Sequence, residues 1–447
     1  MLKSRFKFIC FLLVFSCTSN IFAVSVNFGS RNSAIKVGET NYSIGELSVR
    51  GGTLDLYDGT LSIDQKIETP DLPVRGDTAT REIVFFQSYL EIDGPHAYVY
   101  NTFLEDAGYS PATQTIVLDN GVMRSEAGKF LLKLEIEDTT GLIAGQPTFL
   151  QDIDLRIGVT LDMQSALNKN ITLNGNEIFL RDNLELADDV QFKGGGRVRL
   201  NKRRISLGGK NMTWTDDVQW ENAGDIVLNN NMTLNCTWTF YGNGVLRGNG
   251  YILTLGDNGK IIVERDHSSV LFHDITIKDI NRNNIRCYDH TGTVSFGDVN
   301  WVQDANYSFS EGRFVVLGHC RMIGDYTFAY ETDLVSTIYD DGRLIWDTGF
   351  TFSYAPQGTT NRMLLQMNSK KAEIMMNGAT LRSTFTGLRL DLGTLIFDHK
   401  NYLYNQDRAA VYATSVSQAI NFGADLFIEI MPAASFEIET GILDISN

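Results

Sequence analysis

Proline is scarce in this chain, 7 in 447 residues against 40 glycines. Proline removes a backbone donor, so its avoidance suits strands that hydrogen-bond along both edges, while abundant glycine suits many turns. Helical spacing is scarce too. Between 165 and 400, apolar residues seldom recur at i, i+3 and i+4, which argues against a helical fold. After the first segment no stretch approaches the ~20 apolar residues of a membrane-spanning helix. Of 5 cysteines, Cys10 and Cys17 lie at the start, leaving Cys236, Cys287 and Cys320. An odd number excludes full pairing within one chain; one disulfide plus a thiol, or three buried thiols, both stay open. Their spacing matches no zinc pattern. Positive charge is also short, 38 Lys and Arg against 54 Asp and Glu, a formal net charge of -16. That balance argues against nucleic acid and anionic lipid, which are bound by clustered cations. With 43% hydrophobic residues the chain can nevertheless bury a core, so global disorder is excluded.

What is present begins with an export signal. Residues 1–23, MLKSRFKFICFLLVFSCTSNIFA, place Lys3, Arg5 and Lys7 before a short apolar run from Phe8 to Ser16, with Ala23 at the expected cleavage point. This layout predicts a secretory signal and an exported protein, in the periplasm, on the outer surface or outside the cell. Its removal takes away three cations and no acid, leaving a net charge of -19.

The rest of the chain repeats. LNGNEIFL (173–180), LNKRRISL (200–207), VLNNNMTL (227–234) and GNGYILTL (248–255) are alike, with starts 27, 27 and 21 residues apart. ADDVQF (187–192) recurs as TDDVQW (215–220) after 28. Short alternating runs between Asn, Gly and Asp turns, at a fixed period, predict a β-solenoid with a repeat near 27 residues. After 290 the pattern continues in TGTVSFGDVNW (291–301), EGRFVVLGHCRM (311–322) and DGRLIWDTGFTF (341–352). Alternation there turns Val294, Phe296, Leu344 and Trp346 inward and Ser295 and Ile345 outward. The expected organisation is all-β: a signal at 1–23, an N-terminal β-rich cap over 24–160, a right-handed parallel β-helix over 161–400, and a closing coil over 401–447.

From 170 onward the chain resembles secreted right-handed parallel β-helix proteins of bacteria. NNIRCYDHTGTVSFGDVNWVQDANYSF (283–309) with TFAYET (327–332) resembles solenoid proteins of host-associated bacteria that carry export signals. That resemblance implies surface association and carries no active site. Chlamydial polymorphic outer-membrane proteins share the architecture but carry many FxxN tetrapeptides, of which FYGN (240–243) is the one found here.

Some β-helix proteins cleave pectin, so an enzyme is weighed. Glycoside hydrolysis needs paired carboxylates. Gly318-His319-Cys320 matches part of the polygalacturonase pattern and its Arg-Ile-Lys element is missing. Asp188-Asp189 and Asp216-Asp217 recur at the repeat spacing, which suits turns. The densest titratable stretch is 264–290, where Arg286, Asp289 and His290 have the composition of a lyase base beside carboxylates, or of solvated turns. GGGRVRL (194–200) and LGDNGK (255–260) only partly match calcium-binding repeats. No cofactor and no metal is expected. Arg75-Gly76-Asp77 in a polar loop is a candidate cell-attachment tripeptide. Asn-x-Ser/Thr at Asn41, Asn170, Asn211, Asn231, Asn235 and Asn306 reads more simply as Asn turns beside Thr-rich strands. Trp220 aligns with Phe192 in the 27-residue frame, which predicts core stacking rather than a sugar-binding ladder. The expected function is a non-catalytic adhesive or structural protein contacting a host or envelope surface component or a polysaccharide, with a polysaccharide-active enzyme as the alternative.

Overall fold

In the computed structural model, side chains are described chiefly over residues 152–404 and 420–437, and strand backbone alone within 25–149 and 438–444. The signal segment, Arg75-Gly76-Asp77 and Asp289 lie outside the described residues.

Every described element is a strand, and the strands stack in parallel as a β-solenoid of about ten turns. Each coil has three faces. The first face is formed by Ile171–Thr172, Met212–Trp214 and Met232–Leu234, among others. The second holds Glu177–Leu180, Arg197–Arg199 and Val218–Glu221. The third holds Leu184–Glu185, Arg204–Leu207 and Gly224–Leu228. Some strands bend through a corner without interruption; Lys260–Ile280 covers parts of all three faces. Alternation at period two puts one side of each strand into the core, as Arg343–Trp346 and Thr293–Gln303 show. Val294, Phe296, Leu344 and Trp346 are buried and Ser295 and Ile345 are not, as expected.

In the early coils the true period is shorter than 27. Ile178 pairs with Val198, Ile205 with Ile226, and Met212 with Met232, coils of 20, 21 and 20 residues. The 27-residue frame is one coil plus one face. Asn174, Asn201 and Asn249 account for its regularity. Each has positive φ (52°, 49° and 51°), and each Nδ2 donates to a leucine carbonyl of the coil below, Leu155, Leu180 and Leu228. One corner device therefore serves three different corners: first-to-second at Asn174, second-to-third at Asn201 and third-to-first at Asn249. Asparagine tolerates this backbone better than most residues because its short amide bonds locally. Phe192 and Trp220 accordingly occupy different faces, paired with Ile171 and with Val198. Their rings still meet across the core, 6.3 Å apart.

The core runs unbroken along the axis. Trp214, Trp220, Trp238, Trp301 and Trp346 are all buried, so none forms a surface ladder. Trp238 packs edge-on against Trp214 and Trp220 at 5.5 and 5.4 Å. Higher up, Phe352 stacks on Phe328 and Tyr354 on Tyr330, both at 5.6 Å. Cys236, Cys287 and Cys320 are buried thiols, which decides between the two options left open for them. Burial pushes the Cys236 and Cys320 thiols well above their usual range, so they are inert packing groups.

Strand backbone within 25–149 also pairs in parallel. Glu46–Tyr57 pairs with Glu82–Asp93, and Gly141–Gly145 pairs with Val159–Met163 across the expected end of the cap. At the other end, Ile420–Ile430 pairs with Leu388–Asp398, and Ser435–Thr440 with Lys400–Asn405.

Candidate functional site

The titratable stretch 264–290 winds once around the solenoid, and this disperses it. Arg265, Asp266 and His267 form an exposed second-to-third corner, with φ of 72° at Arg265 and 61° at His267. Asp274 turns the third-to-first corner and Asp279 the first-to-second, both with positive φ. His267 N donates to Thr291 Oγ1, which donates to Asp266 Oδ1 at 3.1 Å. His273 Nδ1 sits 2.9 Å from the Gly297 carbonyl. These groups tie one coil to the next.

Of the candidate catalytic residues, Arg286 lies on the second face. Its guanidinium covers the Tyr288 ring at 4.4 Å and donates to Tyr288 Oη. His290 occupies the second-to-third corner, its Nδ1 3.8 Å from Glu311 and 3.7 Å from Asp333. The two thus turn to different partners. His319 of Gly318-His319-Cys320 is an exposed corner residue beside Asp298, and Cys320 points into the core. The Asp pairs serve turns, as their spacing suggests: Asp188 accepts from Gly209 N, Asp216 from Gly194 N, and Asp217 from Thr237 N. Asn170, Asn231, Asn235 and Asn306 do the same through Oδ1, so their Asn-x-Ser/Thr motifs mark inter-coil caps. Among the described residues no group of three or more His, Cys, Asp and Glu is placed to hold a metal.

A more concentrated constellation lies on the outer side of the second face. The register Glu177–Arg197–Gln219 forms one column and Phe179–Arg199–Glu221–Tyr241–Glu264 the next. Within each column successive members stand about 4.8 Å apart, one coil from the next. Arg197 Nη1 meets Glu177 Oε1 at 2.8 Å, and Arg199 Nε meets Glu177 Oε2 at 3.0 Å. From the coil above, Glu221 Oε2 faces Arg197 Nε at 3.3 Å and Arg199 Nε at 3.5 Å. Arg199 covers Phe179, while Arg265 covers Tyr241 at 4.4 Å and reaches Glu221 at 3.8 Å. Tyr241 Oη donates to Glu264, and burial, then that carboxylate, raises the phenol above its ordinary value. A guanidinium shared between two carboxylates holds a fixed orientation that an isolated surface pair would not.

Beside this lattice opens a polar cleft of about 440 Å³, lined by Glu177, Arg197, Asp217, Gln219, Thr237 and Thr239 with a floor from Gly194 to Gly196. The floor needs glycine. A Cβ on Gly196 would stand 2.6 Å from both the Asn176 carbonyl and Leu173 Cβ. This lattice was missed from sequence because the 27-residue frame puts its members out of register. Outward residues at 20–22-residue spacing, Glu177 to Arg197 and Arg199 to Glu221, were the available signal.

No family model, no curated protein and no solved structure matches this chain. Among the described residues no helix is long and apolar enough to cross a membrane.

Proposed function

We propose that the chain is an exported, non-catalytic solenoid that acts at a surface by binding, as an adhesive or structural protein, with the outer second face as its contact surface. Winding is right-handed, the hand favoured by parallel crossover connections. The observation that carries this reading is the ordered lattice of Glu177, Arg197, Arg199, Glu221 and Tyr241 beside a polar cleft. Such a surface recognises hydroxyl-rich, polar ligands through many modest contacts, and a long repeat body adds avidity. The partner is a polysaccharide or a glycan-bearing surface component of a host or envelope.

One observation favours a polysaccharide-cleaving enzyme instead: Glu177 and Asp217 line the same cleft. Against it stand their commitments, Glu177 to two arginines and Asp217 Oδ1 to Thr237 N. Incubating the purified protein with a panel of neutral and acidic polysaccharides separates the readings. Retention without new reducing or unsaturated ends supports binding. New ends that vanish in Glu177→Gln would establish the enzyme. Export is tested by sequencing the mature N-terminus, expected at Val24; an uncleaved cytoplasmic chain would refute it.

A further inference from the structure

The chain is acidic, yet one coil is not. Between Asp189 and Asp216 there are seven lysines and arginines and no Asp or Glu. This stretch makes little more than one turn of the solenoid, from the first-face strand Phe192–Lys193 to the next first-face strand Met212–Trp214. Five of its cations, leaving aside Lys193 and Lys210, form two groups. Arg197 and Arg199 are neutralised on the second face by Glu177 and Glu221. Lys202, Arg203 and Arg204 stand exposed at the second-to-third corner. Among the described residues no side-chain hydrogen bond or ion pair engages these three. The acid opposite Arg204 in the coil above, Asp225, is held by Arg247 at 2.8 Å, and in the coil below a single acid, Asp182, stands exposed at this corner. In the coil below, Arg181 occupies the same corner, 62% exposed, with only a 3.7 Å contact to Asp162.

We infer that this corner, Arg181 with Lys202, Arg203 and Arg204, is a docking surface for an anionic polysaccharide, a polymer carrying uronate carboxylates or sulfates. The inference rests on the second-face reading and names the class of glycan. The argument is charge complementarity. Four cations on two adjacent coils repel one another, and an exposed corner that keeps them together within an acidic molecule gains stability from an added anion. Arginine forks suit planar carboxylate and sulfate oxygens. The corner adjoins the second face, so a chain held there by its charges lies across Arg199 and Tyr241 toward the cleft, where Gln219, Thr237 and Thr239 offer hydroxyl and amide partners. A nucleic-acid backbone fits less well, because its closely spaced phosphates would run on past Glu177, Asp182 and Asp225. A lipid surface fits less well because the corner has no exposed apolar side chain to insert.

The test measures binding of the full chain to polygalacturonate, to the same polymer fully methyl-esterified, to double-stranded DNA and to phosphatidylserine vesicles. Expected is binding to polygalacturonate at least about tenfold tighter than to the ester, weakening as salt rises. The Lys202→Gln/Arg203→Gln/Arg204→Gln variant should bind the acidic polymer no better than the ester. Arg203→Gln alone should show part of that loss, and Lys370→Gln/Lys371→Gln, on a distant coil, none. If both polymers bind equally and the corner variants change nothing, the corner proposal falls while the second-face reading stands. If neither polymer binds, the second-face reading falls with it. DNA or vesicles binding as tightly as polygalacturonate would also overturn the inference.

Discussion

The early coils, between about 171 and 260, and the late coils, between about 300 and 404, build the same three-faced solenoid with different corners. In the early coils Met212 pairs with Met232 and Met232 with Leu253, 20 and 21 residues apart. Their turns are closed by asparagines with positive φ whose amides reach the coil below. In the late coils the length varies: Cys320 pairs with Leu344, Leu344 with Ile374 and Ile374 with Leu395, 24, 30 and 21 residues apart. The extra length sits largely between the strands Thr351–Tyr354 and Leu365–Met367. There, buried tyrosines work alongside Asn361, whose Oδ1 accepts from Met363 N. Tyr330 Oη lies within hydrogen-bond distance of the Leu334 and Leu364 carbonyls, at 2.5 and 2.9 Å, and its one proton bridges to them, while Tyr354 Oη accepts from Leu364 N. A parallel stack needs only that each face stay in register. Whether a corner is short and polar, or long and tied down from inside, is free to vary.

Core aromatics should matter equally in both regions. Trp238→Ala and Phe352→Ala should each cost about 3–5 kcal/mol in urea unfolding, because each removes a ring that bridges neighbouring coils. A marked difference would mean that one region carries the stack.

Alkaline pH should separate the regions. Burial pushes the Tyr354 phenol up to about 12 from its usual 10.0, and it raises Tyr330 as well. A folded-state value above the unfolded one means that this stability is intact below pH 10 and is lost as pH rises through the folded-state value. About 2–3 kcal/mol should disappear across that window for Tyr354 alone. Amide exchange should accelerate at Thr351–Tyr354 before it does at Thr237–Arg247. Tyr354→Phe should remove its share of the pH dependence.

Early corners should respond to asparagine. Asn249→Ala forfeits both the left-handed preference and the bond to Leu228 O, for about 1–2 kcal/mol, with Asn249→Gly milder. The smallest effect is expected at exposed pairs. Arg247→Met should cost under about 1 kcal/mol despite its 2.8 Å contact with Asp225.

Fold class was legible because it rests on local signals: period-two alternation, few prolines, and turns of Asn, Gly and Asp. Val294, Phe296, Leu344 and Trp346 were placed correctly by alternation alone. The period was not legible, because the corner device around Asn174, Asn201 and Asn249 recurs at different corners and mimics a longer repeat. The candidate site followed the same error. Arg286 and His290 were grouped by nearness in sequence, yet nearness along a coil separates side chains onto different faces. Glu177, Arg197, Arg199 and Glu221 converge because they lie one coil apart, a relation that appears only once the register is known. The stretch at 24–160 offered strand-like runs without a visible frame, and its parallel pairing emerges from the backbone alone.

Which side chains share a surface depends on that register, and one pair of crosslinks tests it. Thr213 and Thr233 are direct neighbours on the first face, whereas Ser206, which the 27-residue frame would set beside Thr233, pairs with Val227 on the third. Neighbouring parallel strands stand about 4.8 Å apart, within reach of a disulfide. Under mild oxidation Thr213→Cys/Thr233→Cys should crosslink rapidly and completely in the folded protein, and Ser206→Cys/Thr233→Cys should not. The reverse result would contradict the three-faced solenoid and the surface built on it.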